Sequence, residues 1–502
     1  MKQPAEPVAA AVGERGAGLT LATVQAATRT DRGEQASWFA TPVTSRLKIV
    51  SRARHLLAER ADLLADLAAA VRGCPLAEVF GSEILALADA LRFLERRAEQ
   101  ILAPQKLGLV GRPLWLTGHS AEIHREPFGV VLIIGAGNYP LFLAASQAMQ
   151  ALVAGNAVLL KPAPGASNLH AAFAELLRDA GLTPGLLTVL PPTTDAAQFA
   201  IEAGVDKVVF TGSANTGRKI LAGLAPKLIP ATLELSGCDP VILREDADLD
   251  LVVNALAFGL HLNHGATCIA PHRVFVPRSL ATEFEGRLAR TFGSRSTFEL
   301  RPEIARPLLP VLEHALENGA HLLAGELRDD RPPLGPLVLA GVPADSPLLG
   351  EDFFAPVLAV VTVGSDAEAL ERAAQSPYAL AASVFSRDLA AARRLAAQLN
   401  AGTVCINDLI APTADARLPF GGRKHSGFGT TRGAEGLLEL TTAKVITLRR
   451  GKLRPHYDPA ATEHPDFFRS FITLVHGQGC SVRFEAFRTL LRTALKMRRP
   501  TR

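Results

Sequence analysis

The chain has 502 residues, 48% hydrophobic and 20% charged, which is the composition of an ordinary folded protein long enough for two or more domains. Its formal net charge of +4 is too small for a chain of this length to indicate a nucleic-acid partner. The five cysteines are odd in number and widely spaced, which argues against a disulfide framework and favours a reducing compartment such as the cytoplasm.

The N-terminal part is predicted to be a disordered head followed by helices. Residues 1–18 lack the apolar run of a signal peptide. Apolar residues recur at helical spacing over 47–71 and again over about 78–102. Short apolar pieces around Gly111, Pro113 and Gly118 predict a hairpin or arm over 107–125. No stretch reaches the ~18 consecutive apolar residues that a membrane span requires.

The middle of the chain predicts a parallel sheet. Residues 130–134 form a continuous apolar run, a helical segment follows at 141–153, and a second apolar run occupies 157–160, which together form a β-α-β unit. Helices are expected to open near Asn168 and Ser213. Further strands are predicted at 187–190, 208–210 and 232–235. This alternation predicts a doubly wound α/β sheet.

A second α/β domain is predicted to follow. Its strands are expected at 274–276, 357–363, 382–385 and 403–407. The remaining residues, 452–502, contain three prolines, an apolar stretch and a basic end, and carry no clear motif. The basic end is compatible with attachment to a partner or to an anionic membrane surface.

Cys268 is the candidate nucleophile. It lies in the segment Thr267-Cys268-Ile269-Ala270-Pro271, where Gly265 and the proline disfavour a regular helix. A cysteine thiolate is a strong nucleophile, and neighbouring dipoles would increase its population by lowering the pKa. The alternative, a small buried hydrophobic side chain, is the more common role of a single cysteine. A zinc site formed by His261, His264, Cys268 and His272 is disfavoured, because the spacing matches no usual zinc pattern, and no metal is expected.

Three segments lie where predicted strands end, at the edge where α/β sheets bind ligands. Gly137-Asn138-Tyr139-Pro140 follows the first strand, and the amide of Asn138 is a possible donor to an oxyanion. Lys161 ends the second strand. Thr211-Gly212-Ser213, with Gly217 one turn later, opens a helix whose N-terminus can hold a pyrophosphate. Each also has a simpler interpretation as a turn, a solvated lysine or a helix cap.

Glu234 lies within the otherwise apolar strand Ala231–Leu235. An unpaired buried carboxylate is costly, so such a residue is either paired or functional.

Taken together and in order, these segments resemble the aldehyde dehydrogenase superfamily over about residues 35–450. The motifs are Gly137–Pro140, Gly155-Asn156-Ala157 with Lys161-Pro162, Phe210–Ser213, Glu234–Gly237, Thr267–Pro271, Phe354–Val357 and Pro419–Gly422. Residues 406–408 and 418–427 look most like the class 3, fatty aldehyde branch. The resemblance implies a Rossmann-type cofactor domain, a second α/β catalytic domain and a small bridging arm.

The resemblance also implies the chemistry. Cys268 would attack the aldehyde, Asn138 and the N–H of Cys268 would hold the oxyanion, and Glu234 would activate water to hydrolyse the thioester. NAD or NADP would take the hydride, since Pro164 replaces a ribose-binding Glu and leaves both cofactors open. The implied cofactor-binding residues are Lys161, Thr211, Gly212, Ser213, Gly217, Asp352 and Phe354.

The resemblance implies a domain division as well. A dinucleotide-binding domain is expected over 19–106 and 125–235, and a catalytic domain over 236–439. An arm that pairs subunits of a homodimer or larger homo-oligomer is expected over 107–124 and 440–450, followed by an extension of unassigned role over 451–502. The alternatives are a CoA-acylating enzyme on the same fold and a catalytically silent cofactor-binding scaffold.

Overall fold

A computed structural model describes residues 19–328, 331–452, 454–457 and 459–497. The predicted disordered head, residues 1–18, lies outside the described residues. The chain divides into two compact units. The first contains the residues up to Gln105 and Ile123–Val445, and the second contains Lys106–Glu122 and the residues from Ile446 onward.

The N-terminal region is helical, as predicted. The predicted stretch over 47–71 is divided in two at Arg60, whose guanidinium is paired with Asp179 and whose ψ of 19° departs from helical geometry. The second helix ends at Gly73, which has a left-handed φ of 68°. The helices are α1 (Leu21–Ala40), α2 (Val43–Glu59), α3 (Ala61–Arg72), α4 (Leu76–Val79) and α5 (Ala86–Leu102), with a π-helical segment, Phe80–Leu85, before α5.

The next region alternates strands and helices. Its strands are β1 (Gln105–Leu107), β2 (His119–Pro127), β3 (Val130–Ile134), β4 (Ala157–Lys161), β5 (Leu187–Val189), β6 (Lys207–Gly212) and β7 (Ala231–Leu235). Its helices are α6 (Phe142–Ala154), α7 (Ser167–Asp179), α8 (Thr194–Ala203) and α9 (Ala214–Leu224).

Less regular alternation continues to Arg449. The strands are β8 (Asp239–Leu243), β9 (Pro271–Pro277), β10 (Phe298–Glu299), β11 (His321–Glu326), β12 (Leu334–Ala340), β13 (Val357–Val363), β14 (Tyr378–Ala379), β15 (Ala381–Phe385), β16 (Thr403–Ile406), β17 (Arg423–Lys424), β18 (Gly427–Phe428) and β19 (Thr441–Arg449). The helices are α10 (Leu249–His261), α11 (Ala281–Gly293), α12 (Pro302–Glu317), α13 (Asp366–Ala374), α14 (Leu389–Ala396) and α15 (Gly433–Leu438).

The first large sheet has the strand order β18-β7-β6-β3-β4-β5. Its pairs are parallel except for β18 with β7. The chain moves outward from β3 to β5 and then returns to β6 on the other side of β3, so the sheet is doubly wound with a topological switch beside β3. The apolar runs that predicted β3 and β4 are buried along their whole length.

The second large sheet has the order β10-β12-β13-β9-β8-β15-β16, with β11 paired to β12. Its inner pairs are parallel and its pairs at β10 and β11 are antiparallel. Strand β8 lies at the centre of this sheet but was not predicted, because Asp239 and Pro240 interrupt its apolar run.

The arm predicted at 107–125 contains strand β2, which lies between β1 and β19 in a three-stranded sheet. Within the second unit, α16 (His464–His476) and α17 (Cys480–Met497) follow. These two helices were not predicted, because Pro459 and Pro465 obscured the helical period. Across the described residues, none of the helices has the length and apolar character needed to cross a bilayer.

Helix α1 is attached to the first sheet by polar contacts. Trp38 donates its indole N–H to the carbonyl of Leu152 at 2.7 Å, and Asp31 accepts a hydrogen bond from Thr188 at 3.0 Å. Asp31 is only 1% exposed, and within the described ranges its second carboxylate oxygen has no hydrogen-bonding partner. Burial therefore raises the pKa of Asp31 to about 7, although the Thr188 hydrogen bond opposes the shift.

Asp31 is expected to make the fold less stable as the pH rises. Its folded-state pKa exceeds its unfolded value, so the folded chain holds a proton that the unfolded chain has lost between about pH 4 and 7, and the unfolding free energy falls across that window. Asp31→Asn should remove this fall and raise the unfolding free energy at about pH 8 by about 4 kcal/mol. Urea unfolding across this pH range measures it, with exposed Asp345→Asn as the control. An unchanged pH slope in Asp31→Asn would contradict the assignment.

Candidate active site

The carboxyl edge of the first sheet gathers several of the predicted site residues. Ile134 at the end of β3 is in register with Lys161 on β4 and with Phe210 on β6. Thr211 on β6 is in register with Glu234 on β7. Because these strands are parallel, the residues that end them share one edge, which is the edge where such sheets bind ligands.

The loop that carries Cys268 is fixed by its polar neighbours. Asn263 has a left-handed φ of 50°, and its side-chain amide donates to the carbonyls of Asn138 and Ala266, each at 3.0 Å. The Tyr139 hydroxyl lies 2.6 Å from the hydroxyl of Thr267. These bonds join the loop after β3 to the loop before β9, so two segments that are far apart in sequence meet at the nucleophile.

Cys268 and Glu234 line one cavity of about 340 Å³. Its walls are mostly apolar, and they include Tyr139, Phe142, Leu143, Phe258, Leu262, Ile269, Ile410 and Phe420. Cys268 is partly exposed and borders the cavity, and it also packs against an apolar cluster that includes Phe420. Cys268 and Glu234 therefore face one cavity of small-molecule size.

The electrostatics of Cys268 favour the neutral thiol. Burial raises the pKa of the thiol well above its usual value, and the nearby carboxylates of Glu234 and Asp239 raise it further. Arg432 opposes this rise. The net shift is upward because removal of water disfavours the charged thiolate.

Glu234 is held by a strand from near the end of the first unit. Strand β18 pairs antiparallel with β7, so that Gly427 is opposite Glu234. One Glu234 oxygen accepts a hydrogen bond from Thr431 at 2.9 Å, and the other has no hydrogen-bonding partner in the part of the chain that the structure describes. Burial raises the pKa of Glu234, while Arg432 and Thr431 oppose the rise. A carboxyl group with a raised pKa and a free oxygen is suited to take a proton from water.

Asn138 is half-buried, with its backbone carbonyl bonded to Asn263. Its side-chain amide forms no hydrogen bond to any residue that the structure describes. The amide N–H groups therefore remain available to a ligand.

Lys161, Thr211 and Ser213 fit the expected dinucleotide site. Lys161 is 9% exposed, its ammonium group has no hydrogen-bonding partner among the described residues, and burial lowers its pKa. Thr211 accepts a hydrogen bond from Gln147 at 3.3 Å. Ser213 caps α9 by accepting from the N–H of Thr216, which leaves the other N-terminal amides of this eleven-residue helix open.

Two of the predicted glycines lie close to neighbouring side chains. A Cβ on Gly217 would lie 3.0 Å from Leu235, and one on Gly212 would lie 2.5 Å from the ring of Phe210. A larger residue at either position would therefore require the neighbouring side chain to move.

Asp352 and Phe354 lie in the loop between β12 and β13 of the second sheet. One oxygen of Asp352 accepts from the N–H of Phe354 at 2.8 Å, and Phe354 has a left-handed φ of 52°. The Asp352 carboxylate raises the pKa of both Cys238 and Cys268, so it faces the nucleophile from the second sheet.

Sequence reasoning missed several residues of the site. Tyr139 and Thr267 stood inside recognised motifs but received no role. Thr431 and Arg432 follow the last motif, and no local pattern distinguishes them from an ordinary loop. The zinc alternative gains no support, because the described part of the chain contains no group of three His, Cys, Asp or Glu side chains placed to hold a metal.

Comparisons with known proteins agree with this geometry. The sequence model that describes the aldehyde dehydrogenase family matches residues 4–446 of this chain. The NADP-dependent succinate-semialdehyde dehydrogenase of Deinococcus radiodurans is 35% identical over 85% of this chain and 90% of its own length. The betaine aldehyde dehydrogenase of Agrobacterium fabrum is 33% identical over 90% and 94%.

A solved structure gives the same result. The aldehyde dehydrogenase of Mycobacterium tuberculosis, complexed with NAD+, superposes with a TM-score of 0.79 at 29% identity, covering 87% of this chain and 92% of that one. The α/β fold predicted from the sequence is confirmed.

Glu234→Gln is expected to make the Cys268 thiol more reactive. The substitution removes a neighbouring negative charge that raises the thiol pKa, so alkylation by iodoacetamide near neutral pH should become several-fold faster. The rate is measured at Cys268 by peptide mass spectrometry in a Cys480→Ser background, because Cys480 is the exposed thiol. Glu317→Gln, an exposed carboxylate on α12, is the matched control. Slower alkylation in Glu234→Gln would contradict the assigned electrostatics.

Proposed function

The chain belongs to the aldehyde dehydrogenase family and is an NAD(P)-dependent aldehyde dehydrogenase, and we propose that Cys268, Glu234 and Asn138 carry its reaction. The observation that carries this proposal is that Cys268 and Glu234 line one cavity with apolar walls. The product is a carboxylic acid.

The proposed reaction begins when the Cys268 thiol loses its proton to solvent and the thiolate sulfur attacks the aldehyde carbon. The side-chain amide of Asn138 and the backbone N–H of Cys268 stabilise the oxyanion of the resulting thiohemiacetal. NAD or NADP, when bound, supplies the acceptor for the hydride whose departure leaves a thioester. Glu234 then takes a proton from water, the water oxygen attacks the thioester carbon, and the acid and the Cys268 thiolate are released.

We propose that the cofactor is held at the carboxyl edge of the first sheet. The unpartnered ammonium of Lys161 and the carboxylate of Asp352 would bind ribose, and the open amides at the start of α9 would bind the pyrophosphate. Thr211, Gly212, Ser213, Gly217 and Phe354 complete the proposed site. This assigns cofactor binding to residues 19–106 and 125–235, and catalysis to residues 236–439.

The substrate is proposed to be an apolar aldehyde. The apolar walls of the cavity suit a hydrocarbon chain, in agreement with the class 3, fatty aldehyde resemblance of residues 406–408 and 418–427. The named relatives above act on other aldehydes, so this branch assignment rests on those motifs and on the cavity.

We also propose that the enzyme is a homodimer or larger homo-oligomer in the cytoplasm. Exposed apolar side chains on residues 107–115, including Leu109, Val110 and Trp115, support pairing through the arm. Five free cysteines support a reducing compartment.

Cys268→Ser and Glu234→Gln should fail at different steps. Cys268→Ser should abolish NAD(P)H formation, because a serine hydroxyl is not ionised near neutral pH. Glu234→Gln should still produce NAD(P)H in a stoichiometric burst, followed by turnover slowed by about 10²–10⁴-fold, because only hydrolysis needs the base. Stopped-flow absorbance measures both, with Glu317→Gln as the control.

Two outcomes would overturn this assignment. Activity in Cys268→Ser would remove the nucleophile. An acyl-CoA product without free acid, when the wild type is assayed with and without CoA, would show a CoA-acylating enzyme instead.

Asn138→Ala should lower kcat by about 10²–10³-fold, because the variant loses an oxyanion donor. Substrate binding should change little, since the amide acts on the charge that develops in the transition state. Steady-state rates on one apolar aldehyde measure this. A large rise in KM with unchanged kcat would contradict the oxyanion role.

A further inference from the structure

Arg432 is a buried cation in the cavity that holds Cys268 and Glu234. Its side chain is 7% exposed and lines the same apolar cavity. Among the residues that the structure describes, it forms no ion pair with a carboxylate. Burying an isolated guanidinium costs free energy, so we expect negative charge nearby to stabilise it among these apolar walls.

The geometry of Arg432 fixes its guanidinium in the cavity. The residue has a φ of 61°, in the region that favours glycine, which is a strained conformation of the kind found at functional sites. One terminal nitrogen donates to the carbonyl of Thr413. The guanidinium lies 4.3 Å from the ring centroid of Phe420 and 5.6 Å from that of Phe142. Its Nε is buried without a partner, so a substrate cannot reach that atom.

Arg432 is also linked to the base through its neighbour. Thr431, the preceding residue, donates to Glu234 at 2.9 Å. Burial raises the pKa of Glu234 and of Cys268, and the charge of Arg432 opposes both shifts. Burial likewise lowers the pKa of Arg432, and the charges of Glu234 and Cys268 oppose that shift. It is thus a single cation that acts on both reacting groups.

The other charges near the cavity cannot take this role. The guanidinium of Arg72 is already paired with two carboxylates, 2.6 Å from that of Glu78 and 3.7 Å from that of Glu83. It also lies over the ring of Tyr139. The groups whose charge acts on Cys268, apart from Arg432, are all acidic and destabilise a thiolate: Glu234, Asp239 and Asp352. The Tyr139 hydroxyl faces Cys268 as well, and burial raises its pKa so that it stays neutral.

We propose that Arg432 is a positioning residue that holds a fixed positive charge in the cavity shared by the Cys268 thiolate and the Glu234 carboxylate, so that both can ionise among apolar walls. This rests on the proposed roles of Cys268 and Glu234. The guanidinium does not react and does not bind the substrate. It compensates the two negative charges that attack and hydrolysis require, and the phenyl rings of Phe142 and Phe420 keep it in place.

The test is the pH dependence of Cys268 alkylation in the full-length protein, with iodoacetamide as the probe and Cys480→Ser as the background. Arg432→Met should move the midpoint of alkylation upward by about one pH unit or more, because a compensating charge is lost. At a fixed pH below the midpoint, alkylation of Cys268 should therefore be about tenfold slower. Arg432→Lys, which keeps the charge, should restore most of the rate.

Two further measurements guard against a purely structural effect. Thermal unfolding checks that each variant is folded, and Arg432→Gln, which keeps a donor for Thr413, replaces Arg432→Met if the latter does not fold. Arg417→Met removes an exposed arginine paired with Asp415 in the same region, and it should leave the midpoint unchanged. The acid limb of kcat/KM should shift upward in Arg432→Met together with the alkylation midpoint.

An unchanged midpoint in folded Arg432→Met or Arg432→Gln would overturn the proposal. So would a variant whose only defect is a raised KM for aldehydes that carry a distal carboxylate, because that result would make Arg432 a substrate-binding residue. Alkylation is measured without turnover, so failure here is distinct from failure of the proposed function, which Cys268→Ser tests.

Discussion

The cost of ionising a thiol and a carboxyl group away from water governs this active site. Cys268 and Glu234 face one apolar cavity, and burial raises the pKa of both. The walls that suit an apolar aldehyde therefore oppose the charges that the proposed reaction needs. Among the described residues, the buried Arg432 and the hydrogen bond from Thr431 to Glu234 offset this cost.

The fold brings these groups together through long-range pairing. The nucleophile lies before β9 of the second sheet, whereas the base lies on β7 of the first. Strand β18 returns from much later in the chain to pair with β7, and thereby places Thr431 and Arg432 beside Glu234. The site thus depends on contacts between residues nearly 200 positions apart, so a change in the β18 register would disturb the base and the cation together.

The two sheets contribute differently to the expected cofactor site. The first provides a doubly wound edge with an unpartnered lysine and an open helix N-terminus. The second provides Asp352, whose carboxylate is near enough to Cys268 to raise the pKa of its thiol. A ligand held by both groups would therefore be positioned next to the sulfur, which is what hydride removal from a Cys268 adduct requires.

Local patterns were sufficient for much of the molecule. The fully apolar runs of β3, β4 and β13 predicted those strands closely, because strands buried on both faces have uniform hydrophobicity. Cys268, Glu234 and the residues around Lys161 and Ser213 stood out because their chemistry was unusual for their local context. What the sequence could not determine was set by distant neighbours. The raised thiol pKa depends on desolvation, and the role of Thr431 depends on the pairing of β18. Arg432 resembles any loop arginine in the sequence, and only folding buries it in the cavity that Cys268 and Glu234 line.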